Sequence, residues 1–155
     1  MHLINEAASD RFAAQLATQL MGNCLSSSLI VTFSGEIGTG KTTIIRAMLK
    51  SMGVQSSIKS PTFTLVESYL CHNRPIHHFD LYRIQYADEL DYLGFRDYFS
   101  EHSICCIEWP EHAGSALPHV DLHFQLGIKG AGREMHAVAS SVTGERILAC
   151  LAGDS

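Results

Sequence analysis

Leu29-Ile30-Val31-Thr32-Phe33 runs directly into Ser34 and then Gly35-Glu36-Ile37-Gly38-Thr39-Gly40-Lys41-Thr42. The first five residues are apolar or β-branched, the composition of a strand buried on both faces. The next eight match Gly-x-x-x-x-Gly-Lys-Thr, and Thr42 to Met52 reads as a helix stopped by Gly53. Strand, glycine-rich loop and helix in this order predict a phosphate-binding loop. Glycines at 35, 38 and 40 let several N–H groups aim into one concavity. The helix points its positive end at the same place. Lys41 is expected to reach β- and γ-phosphates, Thr42 to offer a hydroxyl to Mg²⁺, and Thr43 to offer another nearer the base. A chance glycine-rich turn is the alternative, and the flanking strand and helix weigh against it.

Upstream, Asn5 is placed to cap a helix carrying Ala8, Phe12, Leu16 and Leu20 at helical spacing, with a stop at Met21-Gly22-Asn23. Downstream, Ser60-Pro61 breaks the chain. Strands are expected at Phe63–Leu70 and Ile76–Leu81, separated by a turn at Asn73-Arg74-Pro75. Ala87–Ser100 reads helical although Gly94 interrupts it, and Ser103–Trp109 reads as a buried strand closed by Pro110. Val120–Ile128 and Glu134–Val142 predict a hairpin around Lys129-Gly130-Ala131-Gly132, while the segment from Gly144 onward fits either a strand or a short helix. Alternating strands and helices predict an α/β protein of the P-loop NTPase class. Its expected form is one domain over residues 1–155, three-layer α/β/α, with a mixed, mostly parallel central sheet.

A P-loop site needs a carboxylate for the metal and a group that positions water. Asp80 and Glu108 each follow an apolar run, and strand ends in such sheets converge on the ligand crevice. Hydrophobic context favours Glu108 as the metal carboxylate, whereas residue type favours Asp80. The plainer reading has one of them pairing with Arg83 or capping a strand. His77 and His78 point to opposite faces of a strand, which argues against shared metal ligation. Trp109 fits either the core or the site. Ser60-Pro61-Thr62-Phe63-Thr64 fits a switch loop as well as a plain connector, with Thr62 and Thr64 as hydroxyl donors. The acidic run Asp88-Glu89-Leu90-Asp91 with Asp97 reads first as a solvated face.

The chain has 155 residues and a net charge of −5, from 11 basic and 16 acidic side chains. That balance argues against tight, direct nucleic-acid binding, which draws on clustered basic residues. Five cysteines (Cys24, Cys71, Cys105, Cys106 and Cys150) include no Cys-x-x-Cys pair, so a disulfide framework is not expected. No apolar run approaches the roughly 20 residues that cross a bilayer, and no secretory leader is read at the N-terminus. A cytoplasmic protein with no membrane association is expected.

Beyond the loop, the chain carries Ser60-Pro61-Thr62-Phe63, His78-Phe79-Asp80-Leu81-Tyr82-Arg83, Glu89-Leu90 with Leu93-Gly94, and Ile107-Glu108-Trp109-Pro110-Glu111. In this order, over nearly the whole chain, they resemble the TsaE family, also called YjeE or YdiB. The resemblance implies a Mg²⁺-dependent ATPase required for threonylcarbamoyladenosine formation beside the anticodon of tRNA. It would act with TsaD, which transfers the group, and TsaB, with tRNA reached only through that complex and the free chain a monomer. It further implies that Glu36 to Thr43, Thr62 and Trp109 bind nucleotide. Lys41, Asp80 and Glu108 would serve hydrolysis, and Thr42, Asp80 and Glu108 the metal. The alternatives are a small-molecule kinase, disfavoured by the lack of an arginine-rich lid, and a binding module switched by nucleotide. Absence of Asn-Lys-x-Asp favours ATP over GTP.

Overall fold

A computed structural model describes residues 1–23, 27–100 and 102–153; Cys24 of the cysteine reading lies outside them. Helix α1 (Glu6–Met21) starts where Asn5 Oδ1 accepts the Ala8 N–H at 2.9 Å, a cap typically worth about 1 kcal/mol. Its Phe12, Leu16 and Leu20 are buried, each contributing about 1.5–3 kcal/mol on leaving water. The other helices are α2 (Lys41–Met52), the short α3 (Asp88–Tyr92) and α4 (Val142–Gly153). The strands are β1 (His2–Leu3), β2 (Leu29–Ser34), β3 (Val66–Cys71), β4 (Arg74–Asp80), β5 (Ile104–Glu108), β6 (Leu122–Lys129) and β7 (Gly132–Ala139).

These strands form one seven-stranded sheet in the order β1-β7-β6-β2-β5-β4-β3. The central strands β6, β2, β5 and β4 are parallel, and β3, β7 and β1 add antiparallel edges. Period-two alternation divides the core. Leu29, Val31, Phe33, Ile104 and Cys106 pack in one cluster with α1, α2 and α4. Ile30, Cys105 and Ile107 pack in another with Leu90, Phe95 and Ala113. The second covering layer is thin, made of α3 and the 3₁₀ segments Phe95–Tyr98 and Pro110–Ala116. The result is the expected three-layer α/β sandwich.

Several element boundaries differ from expectation. The strand predicted from Phe63 begins only at Val66, because the Leu65 N–H turns back to the Pro61 carbonyl at 2.9 Å with Leu65 at φ 71°. The turn sits at His72-Asn73, both left-handed, and Arg74 and Pro75 belong to β4. Two consecutive left-handed residues match strand twist across a tight hairpin. The helix predicted over Ala87–Ser100 is broken: α3 ends at Tyr92, the chain turns left-handed at Gly94 (φ 68°), and a 3₁₀ segment follows. Trp109 at φ 58° ends β5 one residue early. The late hairpin forms, but Val142 opens α4, whose first turn is capped by the Gly144 N–H on Ser141 Oγ at 2.9 Å. The open choice after Gly144 therefore goes to helix. Strand β1, two residues long, is too short for periodicity to reveal. Cys71, Cys105 and Cys106 are buried and Cys150 exposed, all four free.

Candidate functional site

The loop between β2 and α2 is shaped by positions that only glycine fills well. Gly35 has φ 140°, and a Cβ there would lie 2.5 Å from the Leu126 carbonyl oxygen and 2.8 Å from Thr39 Oγ1. At Gly40 (φ 98°) a Cβ would come within 3.2 Å of Arg133 Nε. Lys41 begins α2 and is only 5% exposed. Its ammonium donates to the carbonyls of Gly35 (2.6 Å) and Glu36 (2.9 Å) and lies 4.6 Å from the centre of the Trp109 ring. Burial pulls the Lys41 pKa below its ordinary value, opposed by the carboxylates of Glu108, Asp80 and Glu111.

The parallel register of β4 and β5 sets Asp80 beside Glu108. Both Glu108 oxygens are engaged: Oε1 accepts from the Thr42 hydroxyl at 2.7 Å, and Oε2 contacts His78 Nε2 at 2.7 Å. Asp80 Oδ1 accepts the Tyr82 N–H at 3.0 Å. Burial raises the Asp80 pKa; the Tyr82 hydrogen bond opposes this and the neighbouring Glu108 adds to it.

These groups border a cavity of about 390 Å³. The loop contributes Ile37, Gly38, Gly40, Lys41, Thr42 and Thr43 to its wall, and of the other predicted residues Thr62, Asp80, Glu108 and Trp109 border it too. A second cavity, of about 260 Å³, shares Gly40, Thr43 and Arg133 and extends toward Asn5, Glu6 and Ser9 of the α1 start.

Glu36 and Thr39, both predicted to bind nucleotide, stand outside the wall. Thr39 is buried, and its hydroxyl donates to the Glu36 carbonyl at 2.8 Å, so this pair braces the loop from within. Thr64 is also turned away, donating to Glu67 Oε1 at 2.9 Å, whereas the Thr62 hydroxyl meets Ser60 Oγ at 2.8 Å. Arg83 does not pair with Asp80; its guanidinium lies 4.2 Å from the Phe63 ring centre. Trp109 is half-buried, between the rings of Tyr82 and His112. In the acidic run, Glu89 Oε2 accepts the N–H groups of Gln85 and Tyr86, which depresses its pKa.

Sequence reasoning missed His78, and it left Arg133 unplaced. The signal for His78 was available: residues two apart on a strand share a face, so His78 accompanies Asp80. Arg133 carried no such signal, because its approach to Gly40 depends on where β7 lies in the sheet.

Strand, phosphate-type loop and helix at the centre of this sheet, with paired carboxylates on the adjoining strand tips, define a protein of the P-loop NTPase class. A sequence model of the family described as "Threonylcarbamoyl adenosine biosynthesis protein TsaE" matches residues 3–135. The chain belongs to the TsaE family, whose members take part in making threonylcarbamoyladenosine in tRNA. The tRNA threonylcarbamoyladenosine biosynthesis protein TsaE of Haemophilus influenzae is 37% identical over 147 residues, covering 95% of this chain and 93% of that protein. The Bacillus subtilis protein of the same name is 32% identical over 76% of this chain and 72% of its own length. The crystal structure of Bacillus subtilis YdiB superposes with a TM-score of 0.77 over 99% of this chain and 93% of that one, at 22% identity, a likeness of fold.

Proposed function

We propose that the chain binds ATP with Mg²⁺ in the larger cavity and hydrolyses it in support of threonylcarbamoyl transfer to tRNA, acting with TsaD and TsaB. The observation that carries this reading is the 2.7 Å hydrogen bond from the Thr42 hydroxyl to Glu108, which brings the loop and the strand-tip carboxylates to one point. The loop amides and Lys41 would hold the phosphates. For that, the Lys41 ammonium exchanges the Gly35 and Glu36 carbonyls for phosphate oxygens. The second cavity, which shares Gly40, Thr43 and Arg133 with the first, would take the nucleoside.

Thr42, Asp80 and Glu108 offer hard oxygen donors of the kind Mg²⁺ takes. Among the described residues no three His, Cys, Asp or Glu side chains group into a metal cage, which suits an ion held largely by substrate phosphates and water. When bound, the ion would neutralise charge developing on the phosphates. Glu108, beside the loop, is suited to orient or deprotonate the attacking water, and Asp80 to steady the metal side of the site.

The net charge of −5 supports a division of labour in which partners hold the tRNA. No described helix is long and apolar enough to cross a membrane, and the reading places the protein in the cytoplasm. The deciding measurement is ATP turnover by the chain alone and mixed with TsaD and TsaB. Turnover is expected to rise strongly in the mixture, and Lys41→Ala is expected to weaken nucleotide binding at least 100-fold, a loss of about 2.7 kcal/mol or more. Undiminished affinity and turnover in Lys41→Ala would exclude this use of the loop.

A further inference from the structure

We infer that His78 is a positioning residue for Glu108, holding one carboxylate oxygen so that the other is aimed at Thr42 and the nucleotide cavity; this rests on the nucleotide reading above. His78 lies on β4 and Glu108 on β5, and their side chains are 2% and 3% exposed. His78 Nε2 and Glu108 Oε2 are 2.7 Å apart, while Oε1 of the same carboxylate receives the Thr42 hydroxyl, also at 2.7 Å. A glutamate has three rotatable side-chain bonds, and one contact leaves its carboxylate free to pivot. Two contacts from opposite sides fix its plane.

The other ring nitrogen, Nδ1, is buried without a hydrogen-bond partner. Buried N–H groups are almost always paired, so the geometry assigns the hydrogen to Nε2 and leaves Nδ1 as a bare acceptor. The ring thus makes one directed hydrogen bond, and it goes to Glu108. His78 does not border either cavity around the loop. Its influence on a bound nucleotide therefore passes through Glu108, and its loss leaves the phosphate contacts of the loop in place.

The test compares wild type with His78→Leu, His78→Asn and His78→Gln. ADP affinity is measured by calorimetry with and without Mg²⁺, and ATP turnover with TsaD and TsaB. Gln sets an N–H close to the reach of Nε2; Asn falls short of it and Leu lacks it. Metal-free ADP affinity is expected to stay within about twofold in His78→Leu. The gain in affinity on adding Mg²⁺ and the kcat should each fall about tenfold, the usual scale for removing a partner behind a metal-side ligand. His78→Gln is expected to recover most of both. Wild-type Mg²⁺ dependence and kcat in a folded His78→Leu overturn the positioning role. If thermal melts show His78→Leu unfolded, the Asn and Gln variants carry the comparison, and equal loss in both overturns it. Wild-type protein that binds no nucleotide defeats the underlying reading instead, a result separable from either of these.

Discussion

Gly35 stands where the loop backbone leaves β2 at φ 140°, with a carbonyl of β6 packed where a side chain would begin. Gly35→Ala must either strain this backbone or push β6 away. It is expected to destabilise the fold by on the order of 2 kcal/mol, read as a lower urea midpoint at unchanged m-value. An unshifted midpoint would mean that the loop relaxes freely. The residue scale is also where the sequence was most legible. Lys41, Thr42 and the loop glycines declare themselves because their partners lie within a few positions, and local spacing carries the geometry. For His78 the spacing from Asp80 gave its face but not its partner, which is 30 residues further along the chain.

At the scale of elements, the sheet face opposite α1 and α2 carries two histidines set among hydroxyls. His77 on β4 bonds Ser68 Oγ at 2.8 Å and packs on Tyr98, and His123 on β6 bonds Thr32 and Ser34 at 2.7 and 3.0 Å. Burial lowers both pKa values below the ordinary 6.5; for His123 the Glu111 carboxylate opposes the shift. A depressed folded pKa means the unfolded chain takes up protons first as pH falls. The stabilisation is full above pH 6.5 and is lost as pH drops from there through the lowered folded values. Urea midpoints are therefore expected to decline between about pH 7.5 and 5.5, and a His77→Asn, His123→Asn double variant to flatten that slope. An equally steep slope in the variant would assign the effect to other groups. Elements with a strong local signature, the helical period of α1 and the unbroken apolar run of β2, were readable in advance. The segment after Ala87 was not, because Leu90, Leu93 and Phe99 fit a helical period that the left-handed Gly94 breaks.

For the whole molecule, a ligand bound only by the folded state shifts the unfolding equilibrium. Mg²⁺ and ATP at about 100 times the dissociation constant should add about 2.7 kcal/mol, raising the melting temperature by roughly 5–10 °C for a chain of this size. Lys41→Ala should show no such rise in a thermal-shift assay, and an equal rise in both proteins would place the binding elsewhere. The amino-acid order was enough to establish a buried strand, a glycine-rich loop of the phosphate-binding pattern, a capped first helix and a net negative charge. Each of these depends on neighbours in the chain, on the 2.0 or 3.6 residue period, or on a simple sum of charges. Folding in three dimensions added what lies between distant segments. It joined Glu108 to Thr42 and His78 and set Arg133 against Gly40. Those relations follow from strand order and register in a sheet that interleaves early and late strands, and no local pattern encodes which strand will lie beside which.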